Sequence, residues 1–378
     1  MFQVKGWGGR VRSCTLLLIA LAAWVRADQI EYTAYYFGDN SENTVATSSF
    51  SLAKTLWRRT MVMLDVELDQ TTVPPLDGVT GASRPVRQSK SDFRKNRGQI
   101  IAGVEQGLGD DTKIIGSYYF SQEVDYSSQS IIGGITQEMF EKNFTISLRG
   151  QYTLDSVGEI SSSGAINNQF KETHQASIIL TQLLSPTTIL RVGGDGMRNH
   201  GFLGDPYRKV AIARVGNPAL KDTIPERHPT LRFRQAAWAE ISQYLRGLEG
   251  SIIVNYRYYW DDWGVNSHTL ALKINKYITS DWILTPEYRY YEQTEADFGN
   301  YGGGTQAFDR ADYKLSVFNS NTVGMGATCF LRAFSKKHPT WDFLTNSSIS
   351  LMYFRYFNDT APSNFSANVL ETRVKFTF

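Results

Sequence analysis

Residues 370–378 read LETRVKFTF. Val374, Phe376 and Phe378 share one parity, and Arg373, Lys375 and Thr377 share the other. That alternation marks a strand with one apolar face and one wet face. It runs to the last residue of the sequence, where a soluble domain ordinarily frays. A strand of this kind at a chain end needs a partner along its length, and the question becomes which segment supplies one.

The same period of two recurs upstream. In NFTISLRGQYTLD, residues 143–155, Phe144, Ile146, Leu148, Tyr152 and Leu154 oppose Thr145, Ser147, Arg149, Gln151 and Asp155. In TMVMLDVELDQ, residues 60–70, Val62, Leu64, Val66 and Leu68 oppose Asp65, Glu67 and Asp69. In SIIVNYRYYWDDW, residues 251–263, Ile252, Val254, Tyr256, Tyr258 and Trp260 oppose Asn255, Arg257, Tyr259 and Asp261. Strands are expected near 29–37, 44–57, 60–71, 98–108, 112–124, 129–141, 143–155 and 169–183. They continue near 188–199, 231–245, 251–261, 267–278, 281–294, 314–332, 345–357 and 366–378. This is about sixteen, an even number.

The connections alternate as well. Short links such as WRRT, LGDD, EKN, SPT and RGLEG fall at every second junction. The longest, near 72–97, 156–168, 199–230 and 295–313, fall at the others, as short periplasmic turns and long extracellular loops do in an outer-membrane barrel. The AFSKKHPTWD segment, residues 333–342, is long for a periplasmic link. The fold expected is therefore all-β: a transmembrane antiparallel up-and-down barrel of about sixteen strands, one domain over residues 28–378. Its last strand pairs with its first, leaving no open edge in lipid. A soluble sandwich is disfavoured, because too many strands would face water on one side. Aromatic clusters such as YTAYYF, YRYYWDDW and YFRYF sit at the expected extracellular strand ends, where an interfacial girdle belongs.

Composition agrees. The chain is 42% hydrophobic and 20% charged, with 39 Lys and Arg against 37 Asp and Glu, a balance that gives no sign of nucleic-acid binding. Its apolar residues are interleaved with polar ones, so no transmembrane helix can be built from them. The exception is the start, where basic MFQVKGWGGRVR precedes CTLLLIALAAWV and RAD. Residues 1–27 are read as a secretory signal peptide cleaved after about Ala27. Cys329 is then the one cysteine left, which excludes an intrachain disulfide or a cysteine-based metal or haem site and fits a bacterial envelope.

The terminal Phe378, with Val374 and Phe376, resembles the C-terminal signal by which the barrel assembly machinery recognises its clients. The stretch from GFLGDPYRKV through ERHPTLRFRQ and YRYYWDDWGVNSHTLAL to WILTPEYRYYEQTEADF resembles a bacterial family defined only as a domain of unknown function and expected to form an outer-membrane barrel. The resemblance covers most of the mature chain. It implies a neighbourhood of thioredoxin-like lipoproteins and flavin-attachment enzymes, and so a redox lipoprotein as a partner. The chain departs from the family pattern around RAFSKKHPTWDF and GNYGGGTQAF, so nothing is carried over to the last two hairpins.

The lumen holds the informative constellation. With the polar parity inward, Asp65, Glu67 and Asp69 form an acidic wall on the third strand. Arg232, Arg234, Arg257 and Arg289 form a basic wall on the tenth, eleventh and thirteenth strands. Strands eight apart face each other, so the two walls would set up a transverse field that orients polar solutes. The alternative is that these charges pair among themselves, for example Glu287 with Arg257, or with an inward-folded loop. The loop SRPVRQSKSDFRKNR, residues 83–97, is basic enough to approach outer-leaflet lipopolysaccharide phosphates or to dip toward the acidic wall. The long basic loop holding Tyr207, Arg208, Arg227 and His228 is the candidate ligand or gating loop. Five scattered His residues show no metal-ligand spacing, GGDG at 193–196 has no following helix and reads as a pliable strand, and no catalytic triad is visible. The expectation is a pore for small polar solutes, without enzymatic activity or cofactor. The alternatives are a barrel that docks a redox partner and, less favoured, a lipid-modifying enzyme.

Overall fold

The computed structural model describes residues 28–73, 93–160, 166–206, 208–214, 217–298, 312–335, 343–358 and 365–378. The leader read in residues 1–27 lies outside them. The first half of the barrel comprises β1 (Gln29–Asp39), β2 (Thr44–Trp57), β3 (Thr60–Val73), β4 (Phe93–Gly107), β5 (Thr112–Gln122), β6 (Tyr126–Met139), β7 (Phe144–Ile160), β8 (Ile166–Ser185) and β9 (Thr188–Gly201). A separate hairpin follows, β10 (Lys209–Arg214) and β11 (Asn217–Pro225). The barrel resumes with β12 (Leu231–Leu245), β13 (Gly250–Asp261), β14 (Asn266–Thr279), β15 (Trp282–Gln293), β16 (Phe318–Phe330), β17 (Ser348–Phe357) and β18 (Ser366–Thr377). Sixteen strands pair antiparallel in chain order and close on themselves.

Closure answers the question raised by the C-terminus. β18 pairs with β1 from Gln29 opposite Thr377 to Asp39 opposite Ala367. The Phe378 N–H extends the seam by donating to the Asp28 carbonyl at 3.0 Å. Phe376 packs against Ile30 of β1 and Phe50 and Leu52 of β2, so apolar contact crosses the seam where the backbone ladder closes. An open edge in hydrocarbon would leave a row of unpaired N–H and C=O groups, each costing several kcal/mol by the usual estimate of about 2–7.

The period-two faces fall as the sequence alternates. Leu68, Val104, Ile114, Leu148, Ile178, Val192, Ile241, Leu270 and Leu351 are exposed on the outer surface. In a barrel this is the lipid-facing belt. Exposed Tyr118, Tyr152, Tyr256, Tyr288 and Tyr353 lie toward the long-loop end, while Trp57, Phe140, Trp282 and Phe378 lie toward the short-turn end. The tyrosine hydroxyls bond laterally, Tyr288 to Asn321 and Tyr353 to Asn368, both at 2.7 Å, which satisfies a polar tip on an otherwise apolar girdle.

Three expectations change. The connection expected over 156–168 is mostly strand, because β7 and β8 continue to Ile160 and Ile166; above the lipid both faces are wet, so the ladder persists after the apolar alternation stops. β4 begins at Phe93 for the same reason, which moves Lys95 and Arg97 from the expected loop into the barrel wall. The long basic loop over 199–230 contains the β10–β11 hairpin. The periplasmic link after β16 opens with a short helix, α1 (Arg332–Ser335).

Candidate functional site: the lumen and its extracellular mouth

The β13–β14 turn organises the mouth. Asp261 ends β13 with its side chain fully buried. It accepts from Arg232 Nε at 2.9 Å and from Arg232 Nη2, from the Tyr259 hydroxyl, and from the backbone N–H groups of Trp263 and Val265 at 3.0 Å each. Gly264 sits at φ +83°, a conformation glycine adopts without Cβ strain, and a Cβ there would strike the Asp297 carboxylate. The turn holds Trp263 against Arg232, whose guanidinium lies 4.2 Å from the indole centroid. Trp263 Nε1 donates to the Leu231 carbonyl at 2.8 Å. Phe298 and His228 meet the indole edge-on at 4.9 and 5.5 Å. Val265, Ala296 and Leu315 complete a buried cluster, with Leu203 packed on it.

A polar latch joins the two long connections beside this cluster. Arg208, after β9, reaches Asp312 at 2.7 Å, Asp205 at 3.7 Å and Glu226 at 3.9 Å. Glu226 accepts the Asp205 N–H at 2.8 Å, and His228 Nε2 lies 3.5 Å from its other oxygen. His228 Nδ1 is 3.2 Å from the Leu203 carbonyl. Burial pushes the Glu226 carboxyl up, but His228, the Asp205 N–H and Arg208 together hold it below its ordinary value. Burial likewise works against the Arg208 charge, and the surrounding carboxylates Asp312, Asp205 and Glu226 reverse that and raise it. Asp312 belongs to the β15–β16 connection and the others to the β9–β12 connection, so the latch fastens one to the other.

Inside the barrel the two expected walls fare differently. The acidic wall is clamped: Arg97 of β4, opposite Asp69 in register, donates Nε to Asp69 at 2.6 Å and Nη2 to Glu67 at 3.0 Å. The clamp comes from the neighbouring strand and not from a dipping loop. Asp69 also accepts the Thr47 hydroxyl at 2.6 Å. Asp65 has no ion-pair partner among the described residues. On the basic wall, Arg232 is withdrawn into the Asp261 pair and does not serve as a free lumenal cation. Arg234, Arg257 and Arg289 have no carboxylate partner among the described residues. The expected Glu287–Arg257 pair does not form, because Glu287 binds Lys273 across the β14–β15 register at 3.1 Å. Arg257 lies 5.8 Å from the Tyr259 ring centroid and Arg289 6.0 Å from that of Tyr291.

Of the candidate loop residues, Arg208 and His228 belong to the latch and Arg227 is exposed. Tyr207 lies outside the described residues, as do Arg84, Arg87 and Lys90. His174 instead lies on the outer face, 2.7 Å from Glu172. Asp261, Trp263, Glu226, Asp205 and Asp312 are site residues that the sequence reading did not single out. The Asp-Asp-Trp-Gly turn carried the usable signal, since an Asp three residues before a Gly is chemistry for a capped, left-handed turn. Among the described residues no group of three or more His, Cys, Asp and Glu is placed to hold a metal ion.

Residues 77–338 match a family described as "Protein of unknown function (DUF3570)". No curated protein matches the chain. Among solved structures, CdiB from Acinetobacter baumannii is similar with a TM-score of 0.53 at 8% identity, over 92% of this chain and 60% of that one. The siderophore receptor PirA from Acinetobacter baumannii gives 0.47 at 11% identity, over 87% and 52%. OpdK of Pseudomonas aeruginosa, solved with vanillate, gives 0.46 at 7% identity, over 93% and 98%. The chain thus spans about half the length of the siderophore receptor PirA from Acinetobacter baumannii that it matches. The likeness to CdiB concerns the fold alone, a closed antiparallel barrel, and the apolar belt on the outer surface of this barrel is the surface that a bilayer covers.

Proposed function

We infer that this chain, which belongs to the DUF3570 family of proteins of unknown function, is a porin-like channel for small polar solutes. The observation that carries the reading is the lumen itself. A closed barrel of sixteen strands turns its polar parity inward, and barrels of about this strand number enclose an aqueous channel. The latch adds control of access, because it anchors the β9–β12 and β15–β16 connections at the mouth through charge pairs and one buried aromatic cluster.

Single-channel recording in a planar bilayer tests the reading. Purified, folded protein should give steps of uniform size in potassium chloride. A folded protein that never opens would overturn it and would favour a scaffold that docks a redox partner.

A further inference from the structure

We propose that Arg257 and Arg289 form an oxyanion-binding station in the lumen, so that the channel selects small carboxylates and phosphates from among polar solutes. This deepens the channel reading and rests on it. Both side chains lie on the inward parity, Arg257 on β13 and Arg289 on β15. In register Arg257 opposes Thr269 of β14, and Arg289 opposes Ala271 two residues along. At standard sheet spacing their Cα atoms are about 12 Å apart, within converging reach of two arginine side chains. Thr269 of β14 stands in register between Arg257 on one side and Tyr291, the ring that Arg289 approaches, on the other, which places the two arginines around one region of the lumen.

What distinguishes this pair is that its natural counter-charges are already engaged. Glu287, two residues before Arg289 on the same face of β15, is held by Lys273. Asp261, on the Arg257 face, is held by Arg232. The Tyr259 and Tyr291 ring centroids lie 5.8 and 6.0 Å from the two guanidinium carbons, and a cation over a ring face still has N–H groups to offer a planar acceptor. Tyr291 keeps its own hydroxyl directed to Gln293 Oε1 at 2.6 Å. Toward the mouth, Arg234 has a buried Nε with no hydrogen-bond partner among the described residues, so a third guanidinium without a carboxylate partner among them precedes the station on the inward path. Across the lumen Arg97 pairs with both Glu67 and Asp69, so the acidic wall is partly masked, although with one cation against two carboxylates and with Asp65 it keeps a net negative charge. Arginine suits the role better than lysine, since its fork matches the two oxygens of a carboxylate or phosphate.

The test combines selectivity with binding. In bilayers, reversal potentials under a potassium chloride gradient should show anion preference, and bi-ionic gradients of chloride against acetate and against phosphate should show which oxyanion passes more easily. Replacing Arg257→Gln and Arg289→Gln should reduce the anion preference about fivefold per guanidinium, the effect of one unit charge at 4 Å in water, with steps still of uniform size. A pore that conducts but prefers cations, or whose preference ignores both substitutions, would overturn the station and leave the channel reading standing. If the barrel is silent, line broadening of inorganic phosphate and of acetate by the detergent-folded protein decides. Broadening lost in the double variant supports the station without a pore, and its absence in the parent protein overturns it.

Discussion

Replacing Asp261 by alanine should release the mouth while leaving the barrel intact. Asp261 and Arg232 are 0% and 9% exposed, and deleting one member of a buried pair costs about 3–5 kcal/mol, because the other charge stays buried without a partner. The same substitution strips the acceptor from the Trp263 and Val265 N–H groups. A local loss of about 4 kcal/mol corresponds to roughly a thousandfold change in an opening equilibrium. The strand ladders that flank the turn lose no hydrogen bond, so the loss should be confined to the rim. Hydrogen exchange followed by mass spectrometry on the folded protein in micelles resolves this, since amides at 263–265 should exchange through local opening. Asp261→Asn keeps the shape and the two backbone acceptor contacts but loses the charge pair, and should accelerate exchange by a smaller factor. If both variants accelerate it less than about tenfold, Asp261 does not organise the mouth and the argument from its five hydrogen bonds fails.

Acid should loosen the latch. The folded Glu226 carboxyl titrates below its ordinary value of 4.5, so its contribution is complete above about pH 4.5 and is lost as pH falls through the lower folded value; limited proteolysis of the β9–β12 connection, stepped from pH 6 to 3, should show cleavage rising only in the acid range, and Glu226→Gln should abolish that dependence. Gly193→Ala should destabilise the barrel by about 1–3 kcal/mol through overpacking, because a Cβ there would sit 2.3 Å from the Trp238 ring. Urea unfolding in lipid vesicles measures this, and in a Trp238→Ala background the cost should nearly vanish. Arg97→Gln should unmask Glu67 and Asp69 and shift the reversal potential toward cations; an unchanged potential would show that the acidic wall lies off the ion path.

The barrel was legible because its physics is local and repetitive. A strand between lipid and water must alternate, so Val62 to Leu68, Phe144 to Leu154 and Val374 to Phe378 declare both strand and face, and the turn lengths declare the direction. Sixteen segments drawn on that rule correspond one to one with the sixteen barrel strands. The rule lapses above the membrane, where β4, β7 and β8 continue with both faces wet, and in the β10–β11 hairpin, which forms a two-stranded sheet of its own. Nothing in period two marks such segments.

The charge pattern shows the same division more sharply. The sequence by itself determined that Asp65, Glu67 and Asp69 share a face with one another, and that Arg257 and Arg289 point the same way, since parity alone decides inward or outward. Which of those charges remains free was decided by tertiary structure. Register places Arg97 beside Asp69 and Lys273 beside Glu287, and the β13–β14 turn brings Asp261 back onto Arg232. Likewise, the Asp-Asp-Trp-Gly and Glu-Arg-His-Pro stretches were visible as words. Their meeting at one mouth, with Asp312 arriving from a third segment, depends on strands far apart in sequence becoming neighbours. Ion pairing is a matter of a few ångströms, and only the closed sheet brings residues from different segments that close.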